Sequence, residues 1–336
     1  MVDGKFLAFG ELLVRLSPPP PELLLQRPAL SVWLGGAEAN VATALAKLGH
    51  QVAFVSQVPD NDLGRWAVAT LRSHGVDTTA VALGGHRMGL YFVTLGAGAR
   101  ATDVLYDREG SAFATAPAAQ WHWDELLEGV GHLHLTGITL ALGCDQAEAA
   151  IAAALAAAAR GIRVSFDGNW RGKLWARWDG DPKAYLREVM TSVDILFGNQ
   201  RDLGLMLGRD FPEPDMGMRA AASAAFDEFP RLTMIASTER HIVSSDVHDF
   251  GARIDCRDRF VETGKVRIEG IVDRVGTGDA FVAGVLHELL RGGDVDVAAR
   301  TGLALAVLQH SLPGDAALFS QRDIDAFQAG ERDIRR

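Results

Sequence analysis

Short apolar or β-branched runs recur along the chain at Phe6–Phe9, Val52–Val55, His132–Leu135, Ile162–Phe166, Ile195–Phe197 and Leu232–Ile235. Each is too short for a helix and unbroken enough for a strand covered on both faces. Between them, Ala39–Leu48, Leu63–His74, Gln146–Ala159 and Ala280–Leu290 place apolar residues at helical spacing. Gly49, Gly75 and Gly161 stand just beyond three of these segments, where a helix end favours a residue free to turn left-handed. Strand and helix in alternation predict βαβ units and a mostly parallel sheet, an α/β fold.

Two stretches break the rhythm. Leu12–Trp33, interrupted by four prolines at 18–21, and Gly89–Asp107 read as extended pieces with no helix between them. They are expected to join in a small β-sheet beside the main one, a lid formed by excursions at about 12–33 and 89–109 from one domain spanning 1–336. The alternative is a pair of long surface loops. No internal repeat or low-complexity linker divides the chain.

With 48% hydrophobic and 23% charged residues over 336 positions, the chain can bury a large core, which excludes disordered and fibrous classes. Two cysteines, Cys144 and Cys256, cannot form a disulfide framework and fit a reducing compartment. Asp3 stands where a signal peptide carries positive charge, so the start reads as the first strand of a cytoplasmic protein. The most apolar stretch, Ala149–Ala159, falls short of the ~20 residues of a membrane span and is bounded by Glu148 and Arg160. No membrane partner is expected. A net charge of -10 without a basic run argues against nucleic acid, while leaving room for local sites that hold small anions.

The strongest local signal is Asp273-Arg274-Val275-Gly276-Thr277-Gly278-Asp279, followed at once by an apolar helical pattern. Glycines there allow a tight turn and a close approach of backbone to ligand. The free amides of Gly276, Thr277 and Gly278 and the following first turn then form an anion hole, favoured by the helix dipole and suited to a transferring phosphoryl group. A carboxylate beside a phosphate is repelled by it, unless a reacting hydroxyl lies between the two. Asp279 would then orient that alcohol and take its proton. Its place at a helix N-terminus is expected to lower its pKa, which a loose phosphoryl-transfer transition state tolerates. The motif alone reads equally as a helix cap after a glycine turn.

This segment resembles the C-terminal signature of the PfkB/ribokinase family of sugar kinases, Asp-Thr-x-Gly-Ala-Gly-Asp, with Arg274 in place of the threonine and Thr277 in place of the alanine. Gly35-Gly36-Ala37-Glu38-Ala39-Asn40, closed by Leu45–Gly49, is similar to that family's substrate turn and following helix, and Val58–Gly64 continues the match. Three further segments resemble the 2-keto-3-deoxygluconate kinases within the family. They are Gly89–Phe92 with Val104–Ala112, Phe166–Trp175, and Leu308–Asp315. The resemblance implies a ribokinase-like three-layer α/β/α sandwich with a β-sheet lid, and ATP with Mg2+ as cofactors. It implies phosphorylation of the terminal C6 hydroxyl of 2-keto-3-deoxy-D-gluconate in Entner–Doudoroff-type catabolism. Gly35, Tyr91, Tyr106, Arg108 and Arg171 would face the sugar acid with Asn40 nearby, and Asp279 would be the base. The chemistry of the substrate favours the same set: a carboxylate can be gripped by planar guanidinium groups, whereas a neutral hexose offers nothing to two buried arginines. Arg108 could instead pair with Asp107 or Glu109 on an exposed strand.

On the nucleotide side, the family's Asn-x-x-Glu is replaced by Asn199-Gln200-Arg201-Asp202, where a shorter carboxylate could act through water or simply cap a helix. The family's glycine-containing loop is replaced by a run from Thr233 with no glycine until Gly251, so Ser237, Thr238 or Arg240 would supply the contacts glycine amides otherwise give. His132, His134 and His122 have no carboxylate or cysteine at metal-ligand spacing and read as satisfied polar residues. Magnesium held by phosphates and water leaves little sequence trace, so no protein metal ligand is assigned. Competing readings are a family kinase for fructose, a ribose-like sugar or another deoxy sugar acid, and a non-catalytic sugar-acid sensor on the same fold. A dinucleotide oxidoreductase lacks its Gly-x-Gly-x-x-Gly after the first strand. Leu23–Leu25 and Trp33 on the lid suggest a homodimer formed lid to lid.

Overall fold

A computed structural model describes residues 4–211 and 215–331. Its 10-stranded sheet runs in the order Phe260–Glu262, Val247–Cys256, Met234–Ile242, Ile195–Phe197, Arg163–Asp167, Val130–Thr136, Lys5–Phe9, Val52–Val58 and Val81–Leu83, with Val266–Glu269 paired to Val247–Cys256 off this path. Pairing is parallel from Met234–Ile242 through Val81–Leu83 and antiparallel beyond Met234–Ile242. Along the first strand, Phe6 and Ala8 enter one core while Leu7 and Phe9 enter another. Helices Ala37–Lys47, Thr277–Leu290 and Val295–Gln309 cover the first face, and Cys144–Ala159, Pro182–Met190 and Asp215–Glu228 the second. The result is the three-layer sandwich. Cover on both faces is why these strands read as continuous apolar runs, each buried large side chain contributing about 1.5–3 kcal/mol.

The strand expected at Leu232–Ile235 is longer, Met234–Ile242, and returns antiparallel as Val247–Cys256. Its outer half is polar and exposed because it runs past its short neighbour Ile195–Phe197 into solvent, so no apolar run marks it. Among the described residues, no helix is long and apolar enough to cross a membrane. The alanine-rich Cys144–Ala159 buries its small side chains against the sheet.

The two extended stretches do meet. Ser31–Gly35, Leu13–Ser17, Gly89–Thr94 and Asp103–Asp107 form a mixed four-stranded sheet in that order. Arg15, 1% exposed, fastens this lid to the body: Nη1 donates to Asp315 at 2.7 Å, Nη2 to Asp273 at 2.6 Å, and Nε to Ser17 at 2.9 Å. One cation thereby ties the lid to both the Asp273–Asp279 segment and the C-terminal turn.

Candidate active site

The C-terminal ends of the parallel strands and the inner side of the lid enclose a cavity of about 850 Å³. Open α/β sheets bind ligands beyond the carboxyl ends of their strands, which puts a site there. Its floor is the turn at Gly276. With φ 76° and an added Cβ lying 1.7 Å from the Asp315 carbonyl oxygen, this position admits glycine alone. Asp273 Oδ1 accepts from the Val275 amide at 3.0 Å and Thr277 Oγ1 donates to the Arg274 carbonyl at 3.1 Å, which stiffens the turn. The helix that follows, Thr277–Leu290, has no side-chain cap, and its first backbone bond is Ala280 N–H to Gly276 O at 2.8 Å. The amides of Thr277, Gly278 and Asp279 find no acceptor among the described residues. Above Gly278 an added Cβ would meet nothing within 4 Å, so the amides face open space.

Asp279 lies beside them and accepts a 2.7 Å hydrogen bond from Asn40 Nδ2. Withdrawal of the carboxyl from water raises its pKa from 3.8 to about 7, with Asp315 and Glu38 pushing the same way and the Asn40 bond and Arg171 opposing. The expectation of a lowered pKa at a helix N-terminus is therefore corrected: lost hydration outweighs the dipole. Asn40 comes from the first turn of Ala37–Lys47, reached through Gly36 at φ 133°. Three more carboxyls border the cavity: Asp315, which is held by Arg15, and Asp167 and Asp202. Asp167 is pushed well up by burial and by Asp279 and Asp202, and burial also raises Asp202. The sequence had not singled out Asp167, nor Glu38, a buried acid that accepts from Thr136 and Thr139 hydroxyls at 2.7 Å each. Thr136 ends the strand Val130–Thr136 and Thr139 lies in the short helix Gly137–Ala141 after it.

On the lid side, Tyr91 and Tyr106 stack with centroids 5.8 Å apart, and the Tyr91 hydroxyl donates to Asp315. Gly35 does not line the cavity as expected; Gly36 does. Gly35 instead leaves room, since a Cβ there would lie 2.3 Å from the Tyr91 hydroxyl. Arg108 pairs neither with Asp107 nor with Glu109. It is buried and donates from Nε at 2.8 Å, and from Nη2, to Glu11, which also accepts from Ser111. Nη1 of Arg108 has no partner among the described residues, and the residue borders the cavity. Arg171, expected to be buried, is exposed, with one bond from Nη1 to the Trp170 carbonyl at 3.1 Å. It stands just before the short helix Gly172–Trp175, at the solvent-facing border of the cavity, and its charge still bears on Asp167, Asp202 and Asp279.

On the opposite side, Asn199 and Asp202 form a reciprocal helix cap: Asn199 Oδ1 accepts from Arg201 N at 2.8 Å and Asp202 Oδ2 accepts from Asn199 N at 2.9 Å. The cap reading holds for their backbone bonds, and both residues still border the cavity with Ser237 and Thr238. His132 and His134 share the Ser165 hydroxyl at 2.8 and 2.9 Å. Among the described residues, no group of three or more His, Cys, Asp or Glu could hold a metal ion.

Residues 4–321 match the profile of the pfkB family carbohydrate kinases. A 2-dehydro-3-deoxygalactonokinase of Haloferax volcanii is 31% identical over 329 residues, covering 98% of both chains. Among solved structures, a PfkB family carbohydrate kinase from Listeria grayi superposes with a TM-score of 0.91 at 35% identity, covering 97% of this chain and 99% of that one. A 2-dehydro-3-deoxygluconokinase from Thermotoga maritima gives 0.91 at 32% identity, covering 97% and 100%. With profile and superpositions running nearly end to end, the chain belongs to the PfkB family of carbohydrate kinases and has their ribokinase-like fold.

Proposed function

We propose that this kinase transfers the terminal phosphoryl group of ATP to the C6 hydroxyl of 2-keto-3-deoxy-D-gluconate. The observation that carries the reading is the placement of Asp279 beside unsatisfied helix amides in a cavity lined by Tyr106 and Arg108 from the lid excursion and by Arg171 from the loop after Arg163–Asp167. Arg171, with no carboxylate partner among the described residues, and the spare Nη1 of Arg108 suit the substrate carboxylate, and Tyr91 and Tyr106 give the carbon chain a flat wall. Asp279, steered by Asn40, takes the hydroxyl proton as the oxygen forms its bond to the terminal phosphorus. The bond from that phosphorus to the bridging oxygen breaks, and ADP leaves with the electron pair. The amides of Thr277, Gly278 and Asp279 hold the charge on the phosphoryl oxygens during transfer.

Ser237, Thr238, Asn199 and Asp202 suit the nucleotide side. Magnesium, when bound, would supply charge neutralisation for the phosphates; Asp202 and Asp167 would fit its hydration shell, since burial raises both carboxyls and repulsion from Asp279 and Asp202 raises Asp167 further, which a cation would relieve. The 6-phosphorylated keto acid formed is the kind of product an aldol cleavage consumes, as in Entner–Doudoroff-type catabolism, and the cytoplasm is the compartment that supplies ATP. Exposed Leu23, Leu25, Val32 and Leu105 on the lid support pairing of two lids in a homodimer, which sedimentation would test.

A coupled assay with Mg-ATP over 2-keto-3-deoxygluconate, 2-keto-3-deoxygalactonate, fructose and ribose tests the proposal. The gluconate should give the highest kcat/KM. A neutral sugar at the top would overturn the substrate class, and the galactonate at the top the stereochemistry.

A further inference from the structure

The two places where the chain departs most from the family pattern lie 34 residues apart in sequence, and both border the large cavity. Arg274 stands where the signature has threonine, and Arg240 lies in the strand that lacks the glycine loop. Neither side chain makes a hydrogen bond or an ion pair with the described residues. The acids next to them in sequence are engaged elsewhere: Asp273 with Arg15 at 2.6 Å, and Glu239 with Lys265 at 2.6 Å. Opposite Arg240 in the hairpin is Phe250, which offers no charge. Partial withdrawal from water and then the Arg274 cation both disfavour the charge on Arg240, so the pair is held close without compensation. Two unneutralised guanidinium groups side by side in an acidic protein call for a multiply charged anion.

Which anion is decided by position. Arg108, directly after the lid strand Asp103–Asp107, and Arg171 line the large cavity. Arg240, by contrast, also lines the adjoining cavity of about 440 Å³ with Asn199, Ser237 and Thr238. We propose that Arg240 and Arg274 form a paired clamp on the polyphosphate of the phosphoryl donor, replacing the backbone amides of the missing glycine loop. The inference rests on the ATP-dependent reading above and adds the residues that grip the donor. Guanidinium groups at this point neutralise charge as it moves from the transferred phosphoryl group to the leaving diphosphate.

The test is calorimetric binding of ATP, inorganic tripolyphosphate, adenosine and 2-keto-3-deoxygluconate to wild type, Arg240→Met, Arg274→Thr and Arg240→Lys. ATP and tripolyphosphate should bind each neutral variant about 10–100-fold more weakly, with Arg240→Lys between, while adenosine and the sugar acid hold their wild-type affinities. Because neither arginine has a hydrogen-bond or ion-pair partner among the described residues, the melting temperature without ligand should stay level or rise. Unchanged tripolyphosphate binding, or an equal loss for adenosine, overturns the clamp. Weakened binding of the sugar acid alone assigns the pair to the acceptor and also overturns it. In each of those cases wild-type turnover with ATP would leave the kinase reading standing, whereas a wild type that binds neither ATP nor tripolyphosphate would sink both.

Discussion

Asn40 and Asp279, 239 residues apart, are joined by a 2.7 Å hydrogen bond from amide to carboxylate. The bond links the substrate-turn helix to the helix that opens at the anion hole, and it fixes which oxygen of Asp279 stays free for a substrate hydroxyl. Replacing Asp279 with Asn preserves the shape and can keep the contact, so it isolates proton transfer. In steady-state assays kcat should fall about 10²–10⁴-fold while nucleotide affinity changes little. Wild-type turnover in this variant would reduce Asp279 to a helix cap.

The raised pKa of Asp279 has a signature in pH. The base form exists above about pH 7, so log kcat/KM should fall with unit slope as pH drops below that value in a profile from pH 5 to 9. A profile flat to pH 5 contradicts a base of this pKa.

Stability carries the same titration with a definite sign. The folded chain keeps the proton up to about pH 7, whereas the unfolded chain releases it near 3.8, so this group's contribution to stability is lost as pH rises between those values. Asp279→Asn removes the buried charge. Its melting temperature should match wild type near pH 4 and exceed it by a few degrees, roughly 2–5 °C, at pH 8. A variant less stable than wild type at pH 8 would contradict the desolvation argument.

The two arginines of the lid side should respond in opposite ways. Arg171 is exposed and unpaired with acid, so Arg171→Met should leave denaturant midpoints unchanged yet lower kcat/KM for the keto acid about 10–150-fold, and for a neutral analogue much less. Glu11→Gln leaves Arg108 buried without its counter-charge and should cost about 3–5 kcal/mol of unfolding free energy. Equal stabilities of the two variants would undo this distinction.

The glycines of the turn also separate. Gly276→Ala meets the Asp315 carbonyl at a positive φ and should prevent native packing around the turn. Gly278→Ala meets no protein atom and should leave the melting temperature alone while raising KM for ATP, because its methyl occupies the space over the amides. Unaltered ATP kinetics in Gly278→Ala would remove the donor from that spot.

The amino-acid sequence determined by itself what depends on neighbours along the chain. Strands covered on both faces are apolar at nearly every position, so Phe6–Phe9 and Val52–Val55 announced themselves, and helices ending at Gly49, Gly75 and Gly161 did so through turn geometry. The glycine turn before Thr277–Leu290 was legible for the same local reason, as were the two extended lid pieces. Only the tertiary structure decided which charges meet. Arg108 finds Glu11 across 97 residues, and Arg15 finds Asp273 and Asp315 across 258 and 300. Neither pairing leaves a periodic mark, because an ion pair constrains distance in space and not spacing in sequence. The pKa of Asp279 belongs to the same class: a helix dipole can be inferred from a motif, but the loss of water that overrides it exists only once the lid, the substrate-turn helix and the sheet have closed around the carboxyl.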